Sequence, residues 1–287
     1  MTLDSPVSSS TAPPCHPVRR LRQTPPVRRI LVIGIGAGDP EQLTLQAVRA
    51  LNEADAFFLV DKGRAKRDLI ALREEILRRH VTRADYRVVE DRDPQRDRTT
   101  PTADRSGAYT QGVDDWRQAR ADIYERLIRD ELADGECGAF LVWGDPALYD
   151  STLAILADVL ARGTVAFEHE VIPGISAVSA LAARHRTGLN RVGGAVQVTT
   201  GRRLAAGLPE EADDVVVMLD AHQTFRRYAD DPDLHIYWGA YLGTPDELLD
   251  SGPLAQAAPR IAARREEARA RKGWIMDTYL LRRTPRE

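Results

Sequence analysis

The chain has 287 residues, more than one typical domain and about enough for two, with 43% hydrophobic and 29% charged residues, an ordinary globular balance. A net charge of −3 supplies no global basic field for nucleic acid, and no apolar run approaches the length of a membrane span. Of the two cysteines, Cys15 falls in a Ser-, Pro- and Arg-rich tail; this argues against a structural disulfide and for a reducing, cytoplasmic setting.

Residues 1–27 lack the apolar core of a secretory signal and are expected to form a disordered leader. The first strand is predicted at Arg29–Gly34. After a glycine-rich loop, Leu45, Val48 and Leu51 recur at helical spacing behind Thr44, a suitable N-cap. A second strand is expected at Ala56–Val60, a helix at Asp68–His80 with Leu69, Leu72, Ile76 and Leu77 inward, and a third strand at Tyr86–Val89. Residues 91–114 are polar and poor in aliphatic side chains, the composition of a long loop or lid. Helix Trp116–Ala133, strand Cys137–Trp143 and helix Ser151–Ala161 follow.

Thr164–Ile172 is read as the crossover into a second domain, dividing the chain into an N-terminal α/β domain (28–162) and a C-terminal α/β domain (163–287). A helix at Ile175–Arg184 precedes strands at Ala195–Thr199, Val215–Leu219 and His235–Ala240. Thr244-Pro245-Asp246-Glu247 carries a capping-box pattern for a further helix. A charged helix at Ile261–Lys272 and a strand at Trp274–Leu281 end the chain.

Three stretches stand out. ILVIGIGAGDP (30–40), FLVWGDPALY (140–149) and VIPGISA (171–177) are each an apolar run breaking into a Gly/Pro turn. Such runs read as parallel strands, whose carboxyl ends are the usual place for a ligand. GIGAGD begins like the dinucleotide fingerprint G-x-G-x-x-G but places Asp39 where the third glycine belongs, and a carboxylate there would repel a pyrophosphate. A second acidic loop, Gly144-Asp145-Pro146, makes a phosphate cradle less suitable still, and no GxxxxGK[ST] sequence is present. Acidic, glycine-rich loops suit a neutral or positive ligand that offers hydroxyls and amines, such as S-adenosylmethionine with its ribose diol, amino group and sulfonium. The alternative is that each Gly-Asp-Pro only starts a helix, Asp as cap and Pro in the first turn.

GIGAGDPEQLT, LVWGDPALYDST and VIPGISAVSALAARH resemble the three signature segments of the S-adenosylmethionine-dependent tetrapyrrole methylases. TTGRRL, VVVMLD, YWGAYLGTPDE and ARKGWIMDTYLLRR are similar to the branch of that family that methylates C-1 of the corrin precursor and removes an acetyl group. The resemblance runs from about Arg29 to Arg283. It implies two α/β domains with the ligand cleft between them, a homodimer, no metal, and methylation of precorrin-5 at C-1 with hydrolytic release of acetate, in aerobic cobalamin biosynthesis. By motif it implies donor (and S-adenosylhomocysteine) contacts at Gly36, Ala37, Trp143, Gly144, Asp145, Leu148, Ser176, Ala177, Met218 and Leu242. Ala37 departs from the proline frequent at that position, and Met218, Leu148 and Leu242 are equally suited to a core.

Methyl transfer from a sulfonium needs in-line approach and exclusion of water. Acetyl loss needs water added to a ketone, for which a general base and an oxyanion donor would help. Asp39, Tyr149 and His185 are the catalytic candidates, on or just after the three loops. The implied substrate carries many carboxylates, and Arg184, Arg186, Arg191, Arg202 and Arg203 are candidate partners, although a solvated charged face accounts for them as well. Competing functions are another precorrin methyltransferase acting at a different ring carbon, a nicotinamide-dependent oxidoreductase, and a non-catalytic tetrapyrrole-binding protein.

Overall fold

The computed structural model describes residues 27–61, 67–94, 108–209 and 211–284. The expected leader up to residue 26, and residues 95–107 of the expected lid, lie outside the described residues. Among the described residues the strands form two five-stranded sheets.

The first sheet has the order β3-β2-β4-β1-β5 and is parallel throughout, with β1 (Arg28–Gly34), β2 (Ala56–Asp61), β3 (Arg87–Arg92), β4 (Cys137–Val142) and β5 (Phe167–Ile172). The crossovers carry helices α1 (Leu45–Glu53), α2 (Arg67–His80), α3 (Ala108–Glu131) and α4 (Thr152–Arg162). A parallel sheet covered on both faces needs strands apolar on both faces, and the continuous runs of β1 and β4 are buried accordingly. Ile30, Val32 and Phe140 face α3 and α4; Leu31, Ile33 and Leu141 face α1 and α2. The Tyr124 ring of α3 stacks on Phe140 at 4.2 Å.

Several expectations change here. Thr44 caps α1 as its sequence suggests, its hydroxyl accepting from the Ala47 amide at 3.0 Å. The buried face, however, is Ala47, Ala50 and Leu51, while Leu45 is 80% exposed. The small alanines let the helix lie close to the sheet, and the first-turn leucine points away. The expected 91–114 loop is shortened at both ends: β3 runs to Arg92 and α3 begins at Ala108. Once a helix is anchored by packing, each added residue gains a backbone bond, so a polar stretch can extend it. Phe167–Ile172 does not cross into the second sheet. It pairs with β1 as the outer strand of the first sheet, and the crossover comes after Ile172.

The second sheet has the order β6-β7-β10-β8-β9, with β6 (Val196–Thr200), which runs into the short helix α6 (Gly201–Leu204), then β7 (Asp214–Met218), β8 (Leu234–Ala240), β9 (Leu248–Pro253) and β10 (Asp277–Arg283). Only β6 and β7 pair in parallel; β10 and β9 add antiparallel pairs. One face packs Trp238, Tyr279, Phe225 and Tyr241 beneath α7 (Leu254–Lys272). The other receives α5 (Ala177–Arg184), whose Val178 and Leu181 meet Val216 and Leu280. Ala37 of the first loop joins that same cluster, so the two sheets share apolar contacts through α5.

The capping box expected at Thr244 gives neither its reciprocal bonds nor a helix, and its side chains close a turn instead. Thr244 Oγ1 accepts from the Asp246 amide at 3.2 Å and Glu247 accepts from the Gly243 amide at 2.8 Å. The chain then turns into β9, whose pairing with β8 offers its backbone groups partners that a helix would forgo. The last strand begins at Asp277 rather than Trp274. Among the described residues no helix is long and apolar enough to cross a membrane.

Candidate functional site

The three glycine loops meet. The Gly144 amide donates to Gly36 O at 2.8 Å, with the return bond at 3.4 Å. Gly36 and Gly144 hold φ of 82° and 73°, the left-handed region that a side chain disfavours. A Cβ on Gly34 would lie 2.6 Å from Gly174 N, and one on Gly174 would lie 2.2 Å from Gly144 O. The backbones of the loops leaving β1, β4 and β5 are therefore in direct contact, which only glycine permits at these positions.

Asp145 fastens the arrangement. Its Oδ1 accepts from the Ala147 amide at 2.7 Å and its Oδ2 from the Gly174 amide at 3.1 Å. One carboxylate thus closes its own turn and ties the second loop to the third. Asp39 caps its own short turn, accepting from the Glu41 amide at 2.9 Å. Ser176 is the N-cap of α5, its hydroxyl accepting from the Ser179 amide at 3.1 Å.

These loops form part of a cavity of about 320 Å³ between the two sheets, within the size range of small-molecule sites. The floor on the first sheet is Trp143, Gly144, Asp145 and Leu148, with Tyr149 and Asp150 beyond them. Ser176 and Ala177 at the start of α5 and Met218 at the end of β7 supply a second wall. Residues 274–278, ahead of and entering β10, supply a third, and Val60, Leu69, Ile70 and Arg73 of β2 and α2 a fourth.

Eight of the sequence candidates line this cavity: Trp143, Gly144, Asp145, Leu148, Tyr149, Ser176, Ala177 and Met218. Gly36 stands behind them, paired with Gly144. Ala37 and Leu242 are buried in the apolar cluster around α5. Gly38 and Gly243 press the first loop against the turn that carries Leu242, a Cβ on Gly38 falling 2.4 Å from Leu242 O. Of the three catalytic candidates only Tyr149 lies on the cavity; it is 47% exposed with φ 52°. Asp39 is turned into its cap, and His185, at the end of α5, holds the Trp238 carbonyl with Nε2 at 3.0 Å.

The arginines singled out in the second half of the chain do not line the cavity. Arg184 is paired with Glu247 and Arg191 with Asp213. Among the described residues the cation on the cavity lining is Arg73 instead, on α2.

Behind the third wall lies a network that sequence periodicity does not reveal. Asp277 accepts from Arg265 Nε at 2.8 Å and from Trp238 Nε1 at 3.0 Å, and Arg265 also donates to Asp220 O at 2.9 Å. Tyr279 donates to Asp220 Oδ2 at 2.7 Å, and burial next to that carboxylate pushes the phenol well above its usual range. Gly201 of TTGRRL abuts Asp220, where a Cβ would approach the carboxylate at 2.4 Å. The motifs TTGRRL, VVVMLD and WIMDTYLL thus converge on one buried polar cluster, whose Arg265 and Asp277 are 3% and 9% exposed. A buried pair satisfied this fully fixes the backbone that carries Trp274–Thr278 along the cavity. The clue in the sequence was charge inside an apolar strand: an Asp at each of VVVMLD and WIMDTYLL.

The family described as Tetrapyrrole (Corrin/Porphyrin) Methylases matches residues 29–258. The chain is 52% identical over 257 residues to the precorrin-6A synthase [deacetylating] of Sinorhizobium sp, spanning 90% of this chain and 96% of that one. It is 32% identical over 154 residues to the precorrin-2 C(20)-methyltransferase of Sinorhizobium sp, covering 53% of this chain and 56% of the relative. Among solved structures, a cobalamin-synthesis-related protein (CobF) from Corynebacterium diphtheriae superposes with a TM-score of 0.76 at 37% identity, covering 90% of this chain and all of that one.

Proposed function

The chain belongs to the tetrapyrrole (corrin/porphyrin) methylase family, and on that premise we propose that it shares the reaction of its 52% identical relative. That reaction is methylation of precorrin-5 at C-1 by S-adenosylmethionine with hydrolytic release of acetate, forming precorrin-6A in cobalamin biosynthesis. The observation that carries the reading is the convergence of three glycine loops, tied by Asp145, on one cavity between the sheets. The similarity to a relative over nine-tenths of both chains favours C-1 over another ring carbon, since the C(20)-methyltransferase matches only about half.

The residues present fit a nucleoside-bearing sulfonium. The Gly144 turn, apolar surface at Leu148 and Met218, and the Trp143 and Trp274 rings line the cavity. Among the described residues both indole Nε1 atoms are buried without a hydrogen-bond partner. Trp143, Gly144, Asp145, Leu148, Ser176, Ala177 and Met218 would hold the donor, with Gly36, Ala37 and Leu242 supporting them from behind. When bound, the donor supplies an electrophilic methyl group. Leu148, Met218 and the two tryptophans exclude water around it, and the rigid loop contacts fix the direction of approach to the ring carbon.

Acetyl loss adds water to the ketone carbon, breaks the C–C bond with its electron pair left on the ring, and releases acetic acid. Tyr149 is the candidate among Asp39, Tyr149 and His185 whose position suits proton transfer there, because it is the one on the cavity. A cytoplasmic homodimer fits the family, and the outer strands β5 and β6 leave Val171, Val196 and Val198 37–40% exposed at the sheet edges. Calorimetric titration tests the site: S-adenosylhomocysteine binds at one site per chain and NADH does not compete. Binding of NADH in place of S-adenosylhomocysteine would return the chain to the oxidoreductase reading.

A further inference from the structure

We propose that Arg73 receives a peripheral carboxylate of the tetrapyrrole substrate; the inference rests on the functional reading above and names a substrate contact within that site. Among the described residues Arg73 is the one cationic side chain on the cavity lining, against three carboxylates, Asp145, Asp150 and Asp277. The acids are already engaged: Asp145 by two amides, Asp150 by the Thr152 amide at 2.7 Å, and Asp277 by Arg265 and Trp238. Arg73 is held in place yet left with donors to spare. Its Nε donates to Leu141 O at 3.1 Å and its Nη1 to Leu69 O at 2.8 Å, while Nη2 has no protein partner among the described residues. With Nε and Nη1 each giving one hydrogen to a carbonyl, the second Nη1 hydrogen and those of Nη2 remain, and a pair of these suits a carboxylate.

The surroundings make that donor pair uncompensated. Burial pushes the Arg73 guanidinium down to about 10, against the opposing pull of Tyr124 and Asp150. The group therefore stays charged at neutral pH but is poorly solvated, and no carboxylate forms an ion pair with it among the described residues. An incoming carboxylate would supply the missing counter-charge.

Topology separates this carboxylate from that of the donor. The loops proposed to hold the donor leave β4, β1 and β5, which are neighbours in the sheet; Arg73 follows β2, on the far side of β4. The implied acceptor, unlike the donor with its single carboxylate, carries many.

The test uses the full chain with precorrin-5 and S-adenosylmethionine, comparing wild type, Arg73→Gln and Arg73→Lys. Loss of one charge-assisted fork should raise KM for the tetrapyrrole about 10- to 100-fold in Arg73→Gln. Arg73→Lys, which keeps the charge and loses the fork, should give a smaller rise and serves if the glutamine variant does not fold. S-adenosylhomocysteine affinity by calorimetry should stay within about twofold throughout. An unchanged KM with a lowered Tm would overturn the inference and leave Arg73 as a bracket for Leu141 and Leu69. A parallel loss of S-adenosylhomocysteine affinity would overturn it in favour of the donor's carboxylate. Wild-type protein that leaves precorrin-5 unmethylated would overturn the functional reading itself, and this inference with it.

Discussion

Replacing Asp145 by alanine removes the acceptor of two backbone amides, Ala147 at 2.7 Å and Gly174 at 3.1 Å. The first bond is a turn cap on a partly exposed segment, where water can substitute, and its loss costs about 1 kcal/mol. The second crosses between loops, and a charge-assisted bond of that kind contributes about 1.5 kcal/mol or somewhat more. Together they amount to roughly 2–3 kcal/mol, which for a chain of this size lowers Tm by about 3–6 °C. The effect on ligand binding should be larger than the fold's loss suggests. With the second and third loops unfastened, the donor must order them on binding, and S-adenosylhomocysteine affinity should fall at least about tenfold. Asp145→Asn separates the two bonds. It keeps an acceptor for Ala147 but can turn an amide donor toward the Gly174 N–H, so Tm should fall by less while the affinity falls about as far. Calorimetry with both variants, beside thermal melts, reads both quantities. Affinity within twofold of wild type in both, with Tm lowered, would reduce Asp145 to a cap and refute its role in joining the loops.

Three further outcomes follow from the same geometry. Gly174→Ala places a Cβ 2.2 Å from Gly144 O, an overlap that backbone must move to relieve; Tm should drop by about 5 °C or more and S-adenosylhomocysteine binding should weaken, and a wild-type melt would contradict the packing described. Tyr149→Phe should still transfer the methyl group but yield tetrapyrrole that retains its acetyl, read by mass; if the variant performs both steps or neither, methylation alone labilises the acetyl and no dedicated hydroxyl is needed. Burial pushes the Cys137 thiol from 9.0 up to about 11, so the folded state keeps its proton where the unfolded state has lost it. The stabilisation is complete below pH 9 and lost as pH rises through about 11, a change on the order of 2–3 kcal/mol. The urea midpoint should therefore fall between pH 8 and pH 11 more steeply in wild type than in Cys137→Ala, and parallel profiles would contradict it.

Much of the first sheet was legible because parallel strands leave continuous apolar runs, and the loops were legible because close backbone contact demands glycine. Gly34, Gly36, Gly144 and Gly174 each stand where a Cβ would collide or the backbone turns left-handed. Harder to read were features set by partners distant in sequence. WIMDTYLL looks like one strand, yet its first three residues leave the sheet to wall the cavity, because Asp277 is held by Arg265 on α7. Thr244–Glu247 has the chemistry of a helix start, but its side chains bond the Asp246 and Gly243 amides in a turn, and β8 offers the next residues an edge to pair with. Phe167–Ile172, with its exposed FEHEVI pattern, reads as a connection since an outer strand needs little burial. Arg73 drew no notice among many arginines. Nothing in its neighbours marks it as the one that α2 turns toward the cavity.

The central claim is that this cavity transfers a methyl group to C-1 of a corrin precursor and releases acetate. Incubating the purified protein with precorrin-5 and donor bearing a ¹³C-methyl group tests it directly, by mass of the tetrapyrrole, carbon NMR of the new methyl, and assay of the released acid. The expected result is one labelled methyl at C-1, loss of the acetyl group, and acetate in equal amount. A labelled methyl at another ring carbon without acid release, or no transfer by protein that binds S-adenosylhomocysteine, would contradict it.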